Sequence, residues 1–208
     1  CSLWREGTHY GWDWIAKFPE FTPYLGFYEE GSPEVADWEI KWMAEHGVTF
    51  QYYCWYRPNS YGSQDEPLKT PSKGAALHEG FMNARYSDTM KFCFMWENLG
   101  APSKNFYDDL LTNLAPYWIE YYFKDPRYYK IDGRPLLAIY SLETLQNQMG
   151  EEKTYEMFVK FKELCVEAGV GEPILIISGN PIYDATTQAK LHDAGFDGAT
   201  RYNWGNKG

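Results

Sequence analysis

The sequence predicts an α/β chain folded as a (β/α)8 TIM barrel, incomplete over these residues, and three observations predict it. Short apolar stretches rich in aromatic and β-branched residues recur along the chain, as strands buried on both faces require. Helical patterns fill the intervals, which makes the strands parallel, because a parallel neighbour is reached only by a long crossover. Each apolar stretch then ends in polar and aromatic residues, at the end of the strand where barrel enzymes place their chemistry. An open doubly wound sheet shares the first two properties. No GxGxxG or GxxxxGK turn follows any strand, so neither dinucleotide nor phosphate binding is signalled and no cofactor is expected.

In chain order, residues 3–33 read as loop, with His9, Trp12, Asp13 and Trp14 near the expected rim. The stretch SPEVADWEIKWMAEHG is a helix: Ser32 is its N-cap, Pro33 its first residue, Val35, Trp38, Ile40 and Met43 its apolar face, and Gly47 its stop. Strand VTFQYYCWYR (48–57) follows, then a long Pro/Gly/Ser-rich stretch (57–74) of the kind that is functional or disordered. Strand KFCFMWEN (91–98) leads to a helical segment over 103–123 that Pro116 interrupts. Strand PLLAIYS (135–141) and a helix over 151–169 come next, the latter with Tyr155, Phe158, Phe161, Leu164 and Cys165 on one stripe. Strands PILIISGN (173–180) and GATRYN (198–203) complete the series. No domain boundary or repeat is visible, so 1–208 reads as one partial barrel domain.

Composition narrows the partners. The 208 residues carry 29 acidic against 19 Lys and Arg, a net charge of −10 with no basic run, which argues against nucleic acid or an anionic membrane surface. No apolar segment approaches the ~20 residues that span a bilayer. Aromatics make up 19% of the chain, and their flat apolar faces with polar edges suit sugars, although most aromatics are core. Cys1, Cys54, Cys93 and Cys165 have neither CxxC nor Cys/His spacing, so no metal site is expected.

Several segments resemble the glycoside hydrolase family 99-like proteins, including the WbsX-type group. YFKDPRYYKIDGRPLLAIYS resembles the family's recognition segment, and LGFYEEGSPEVADWEIKWMAEHGVTFQYYCWYR and FCFMWEN resemble its preceding units in order and spacing. The resemblance spans nearly the whole chain and implies a (β/α)8 barrel acting on glycans, an extracytoplasmic location, and relatives that are endo-acting α-mannosidases. CSLWREGTHYGWD resembles the turn after the family's first strand, which makes Cys1 an internal residue and not a lipid-modified terminus. A complete barrel takes about 250 residues, and the family's acid pair, on a late strand, has no counterpart here. The chain is therefore expected to be a trimmed piece.

The candidate site follows from the strand ends. Glu97 is either a rim carboxylate that grips sugar hydroxyls or assists acid/base chemistry, or a loop carboxylate capping the following turn. Trp96 would be its stacking floor and Asn98 its amide neighbour. Trp55 and Tyr56 end the first strand and are read as sugar platform or barrel filling; alternation puts Trp55, Tyr53, Gln51 and Thr49 on one side. Tyr140, Tyr202, Asn203 and His9 complete the expected sugar-binding set, and Asn180 is a weaker candidate because SGNP also forms turns. His46 suits a helix C-terminus, His78 and His192 read as surface, and Asp125 and Asp132 read as structural turn residues. Cys54 and Cys93 are read as two buried thiols.

The leading function is a glycoside hydrolase on α-mannose-containing glycans, with an oligosaccharide or polysaccharide as partner. Retaining glycosidases place two carboxyls ~5 Å apart and inverting ones ~6.5–9.5 Å, whereas a single carboxylate is legible here. The alternatives are a carbohydrate-binding protein on the same scaffold and a glycosyltransferase, for which no nucleotide-sugar signature is present.

Overall fold

A computed structural model describes residues 17–57, 74–99, 105–179 and 185–202. The chain divides into two compact units, residues 1–51 with 67–91, and residues 52–66 with 92–208.

In the first unit, helix α1 (Pro33–Glu45) begins as its sequence requires: the Ser32 hydroxyl accepts the Val35 N–H at 3.4 Å and Pro33 takes the first turn. Its apolar face buries Ala36 and Ile40. His46 ends it with Nδ1 2.6 Å from the Trp42 carbonyl, which matches the role expected at the negative helix end. Turns at Ala76–Gly80, Phe81–Asn83 and Ser87–Thr89 bury Leu77 and Phe81, and the Tyr86 N–H donates to Asp37 Oδ1 at 3.0 Å. His78 is half-buried beside this packing where a surface position was expected, and the partial burial pushes its imidazole pKa down to about 4.

Strand β1 (Phe50–Tyr56) carries the chain into the second unit. There β2 (Lys91–Glu97), β3 (Lys130–Ile131), β4 (Arg134–Ile139), β5 (Ile174–Ile177) and β6 (Gly198–Ala199) join β1 in one sheet of order β1-β2-β4-β5-β6. The β2–β4, β4–β5 and β5–β6 pairs are parallel, in the registers Met95↔Ala138, Ala138↔Ile176 and Ile176↔Gly198. The short β3 pairs antiparallel with β4 and is an element the sequence reading did not separate from the bend before that strand. Its Asp132-Gly133 turn has φ of 51° and 80°, the left-handed pair that Asp-Gly supplies to tight hairpins. The described sheet is open, so the fold is α/β, part of a (β/α)8 barrel that does not close over these residues.

Crossover helices cover one face. The path α2 runs through Phe106–Asp109, Leu110–Leu114, Ala115–Trp118 and Ile119–Phe123, and the expected break at Pro116 does not occur. The turn before the proline widens instead: the Ala115 N–H reaches Leu110 O, a π-helical step, and the helix continues past a residue that has no N–H to donate. Helices α3 (Leu142–Met149), α4 (Glu151–Glu167) and α5 (Ala185–Asp193) complete the crossovers; α3 and α5 went unread in the sequence. The core between α2, α4 and the sheet is aromatic. Trp118 lies 5.3 Å from both Trp55 and Phe94, 5.6 Å from Trp96 and 6.0 Å from Phe161, ring centre to ring centre.

Candidate functional site: a tyrosine face around Glu97

Side chains alternate across a strand, and laterally paired residues share a face. The rings of Phe92, Phe94 and Trp96 pack on Tyr122, Trp118 and Phe106, so the even positions of β2 face the helices. Cys93, Met95 and Glu97 therefore face the other way. The registers extend that face to Ala138 and Tyr140, to Ile176 and Ser178, and to Gly198 and Thr200. On β1, Trp55 packs on Phe94 and Trp118, which leaves Tyr52, Cys54 and Tyr56 on the side of Glu97. The ladder continues past the strand ends through Tyr140 N–H to Trp96 O (3.0 Å), Ser178 N–H to Ile139 O (2.8 Å) and Thr200 N–H to Ile177 O (2.8 Å). These bonds hold the C-terminal ends level.

Glu97, the candidate catalytic carboxylate, and three residues of the expected sugar-binding set, Tyr56, Tyr140 and Tyr202, come together here. Tyr202 meets Tyr140 edge to face at 5.3 Å, and its hydroxyl lies 3.9 Å from the Cys54 sulfur. Burial, then Cys54 and the charge of Glu97, push the Tyr56 phenol up to about 12. Tyr202 is raised chiefly by Cys54, with Tyr140 and Glu97 adding to it. Both phenols thus stay protonated and able to donate through neutral pH. Tyr52, itself partly exposed, joins from below, its phenol pKa raised by desolvation and held back by Ser178. Cys93 and Met95, fully buried, form the floor. Gly179 fits the edge because a Cβ there would collide with the Tyr140 carbonyl oxygen.

Glu97 itself is half-buried. Its Oε1 accepts the Leu99 N–H at 3.2 Å, the contact expected of a carboxylate that caps the following turn, while Oε2 makes no hydrogen bond to a described residue. The carboxylate thus caps its turn and still presents an oxygen beside the phenols.

The remaining expectations divide otherwise. Trp55 and Trp96 are not open platforms: they are 1% and 0% exposed on the helix side, and the Trp55 indole N–H donates to the Tyr122 hydroxyl at 3.1 Å. The cause is alternation, since Trp55 and Tyr56, or Trp96 and Glu97, cannot share a face. Asn98 is likewise fully buried, its amide donating to Ser141 O at 2.7 Å and accepting the Ser141 N–H at 2.9 Å, which latches β2 to the start of α3. Asn203, His9 and Asn180 lie outside the described residues. Cys54, Cys93 and Cys165 are free thiols, of which Cys54 is half-exposed where burial was expected. Asp125 is structural as read: it grips Arg127 through Nη2 at 2.7 Å. Sequence reasoning missed Cys54 and Tyr52 as members of the face, although the alternation from Tyr56 pointed to both. Among the described residues no cluster of His, Cys, Asp and Glu could hold a metal ion.

Parallel strands whose carboxyl ends present one carboxylate among phenols define a (β/α)8-type protein with its candidate site at the strand ends, where such folds carry their chemistry. The chain belongs to the family described as Glycosyltransferase WbsX, whose profile matches residues 17–207. It is also similar to a solved glycoside hydrolase family 99 endo-α-mannosidase from Bacteroides thetaiotaomicron in complex with bis-tris-propane, with a TM-score of 0.58 and 20% identity, covering 88% of this chain and 50% of that one. A second structure of the endo-α-mannosidase from the same organism matches at TM-score 0.42 and 16% identity, covering 88% and 70%. The chain therefore spans about half the length of the first of these. No curated protein matches.

Proposed function

We propose that this chain forms part of the active-site end of a glycan-acting enzyme of the glycoside hydrolase class, with α-mannosides as substrates and an extracytoplasmic place of work. The observation that carries the reading is the convergence of Glu97, Tyr56, Tyr140 and Tyr202 at the carboxyl ends of neighbouring strands. Phenols with an apolar face and a donating hydroxyl suit a sugar ring, and a carboxylate oxygen among them accepts from sugar hydroxyls. The barrel similarity to an endo-α-mannosidase supports the same reading.

In this reading Glu97 binds and orients sugar, because glycosidic hydrolysis calls for two carboxyl groups and one is present on the described face. The family description favours a second reading, glycosyl transfer, in which the same face would hold an acceptor glycan. The two separate in one assay. Full-length protein is incubated with α-mannose oligosaccharides alone, and in parallel with an acceptor and a nucleotide-sugar mixture. Release of shorter reducing-end products without nucleotide supports hydrolysis; product formed only with nucleotide sugar overturns it. Saturable binding with neither product would leave a carbohydrate-binding protein.

A further inference from the structure

Tyr56 is the last residue of β1, and the residues on both sides of it are fastened to α2. Before it, Trp55 is held by the Tyr122 hydroxyl. After it, Arg57 forms a two-pronged pair with Asp109, Nε to Oδ2 at 2.6 Å and Nη2 to Oδ1 at 2.7 Å, and Asn113 donates to Oδ1 at 2.8 Å. The two side chains are 11% and 6% exposed. A buried pair contributes little net stability over apolar side chains of the same volume, but the planar fork fixes direction as an apolar contact does not. With Trp55 and Arg57 both drawn to the helix side, the residue between them has only the opposite face open to it.

We infer that Arg57 and Asp109 are positioning residues for Tyr56, holding its phenol on the face it shares with Cys54 and Glu97. The effect on turnover rests on the function proposed above; the effect on Tyr56 does not.

The test places 3-fluorotyrosine at position 56 and follows its ionisation by fluorine NMR. Three backgrounds are compared with the parent: Asp109→Asn, the charge-free pair Arg57→Met/Asp109→Leu, and Phe158→Leu as a core control whose ring packs on Phe196, away from Trp55 and the clamp. The apolar pair removes both charges together, so it leaves no buried charge unpaired, as Asp109→Asn leaves Arg57. The expected result is a lowered titration midpoint in the clamp variants, as the phenol leaves its buried place beside Glu97, and an unchanged one in Phe158→Leu. A parent-like midpoint in the folded apolar pair overturns the inference. On α-mannose oligosaccharides the clamp variants should lose about tenfold or more in kcat/KM, mainly through KM. A moved midpoint in a protein whose parent cleaves no glycan would sink the hydrolase reading and leave the clamp standing. Turnover with an unmoved midpoint would do the reverse.

Discussion

Trp55 and Tyr56 are consecutive on β1 and serve opposite sides of the sheet: the Trp55 indole donates to the Tyr122 hydroxyl at 3.1 Å among helix-side rings, and Tyr56 stands beside Cys54 and Glu97. Their substitutions should separate accordingly. Trp55→Phe removes a buried hydrogen bond and leaves a void, lowering unfolding stability by about 1–3 kcal/mol. Tyr56→Phe, on a half-buried rim position, should change stability by less than about 1 kcal/mol yet weaken glycan binding. Urea denaturation of both proteins, alongside a binding titration, checks the split.

Glu97→Gln tests the carboxylate. If Glu97 grips sugar hydroxyls, losing its charge should weaken substrate binding by about 1–3 kcal/mol and raise KM with kcat nearly unchanged. Removal of a proton-transfer group costs about 10² to 10⁴ in kcat instead. A collapse of kcat at constant KM would assign Glu97 to the chemistry, and no change in either would leave it as the cap of Leu99.

The thiols should react unequally. Cys93 and Cys165 are fully buried, and burial pushes each up to about 12, so neither carries thiolate near neutral pH. Cys54 is half-exposed on the tyrosine face. In a Cys1→Ser background, a thiol reagent at neutral pH should label Cys54 in the native protein and the other two only after denaturation. Saturating glycan should slow the native reaction; rapid labelling of all three would contradict the packing.

Acid should act through His78. The unfolded chain takes up this proton near pH 6.5 and the folded chain only near about 4, because burial disfavours the imidazolium. Between those values the unfolded state binds more protons, so the contribution is intact above the unfolded pKa and lost as pH falls, by up to about 3 kcal/mol. Urea midpoints at about pH 7 and about pH 4.5 should converge in His78→Gln relative to the parent. Parallel midpoints would place the acid sensitivity elsewhere.

Much of this architecture was legible locally. Ser32-Pro33 opens a helix and Asp132-Gly133 makes a tight bend before a strand through interactions within a few residues, and the sequence contains all the partners they need. The apolar stretches around Cys93 and Leu137 read as strands because both faces are buried in any crossover sheet. Pro116 misled because its usual effect is a break, and the widened turn that absorbs it depends on packing along the whole of α2.

By itself the sequence determined the order and type of the main strand and helix units and placed a carboxylate and several tyrosines at strand ends. Those follow from period, caps and turn chemistry, which are local. Only the tertiary structure decided which member of each rim pair faces the site. Tyr56 and Glu97 share the tyrosine face while Trp55 and Trp96 pack under the helices, because α2 offers Trp118 and Tyr122 to one side of the sheet alone. Alternation gives two answers for a strand, and the choice between them is made by a partner more than 60 residues away along the chain from Trp55.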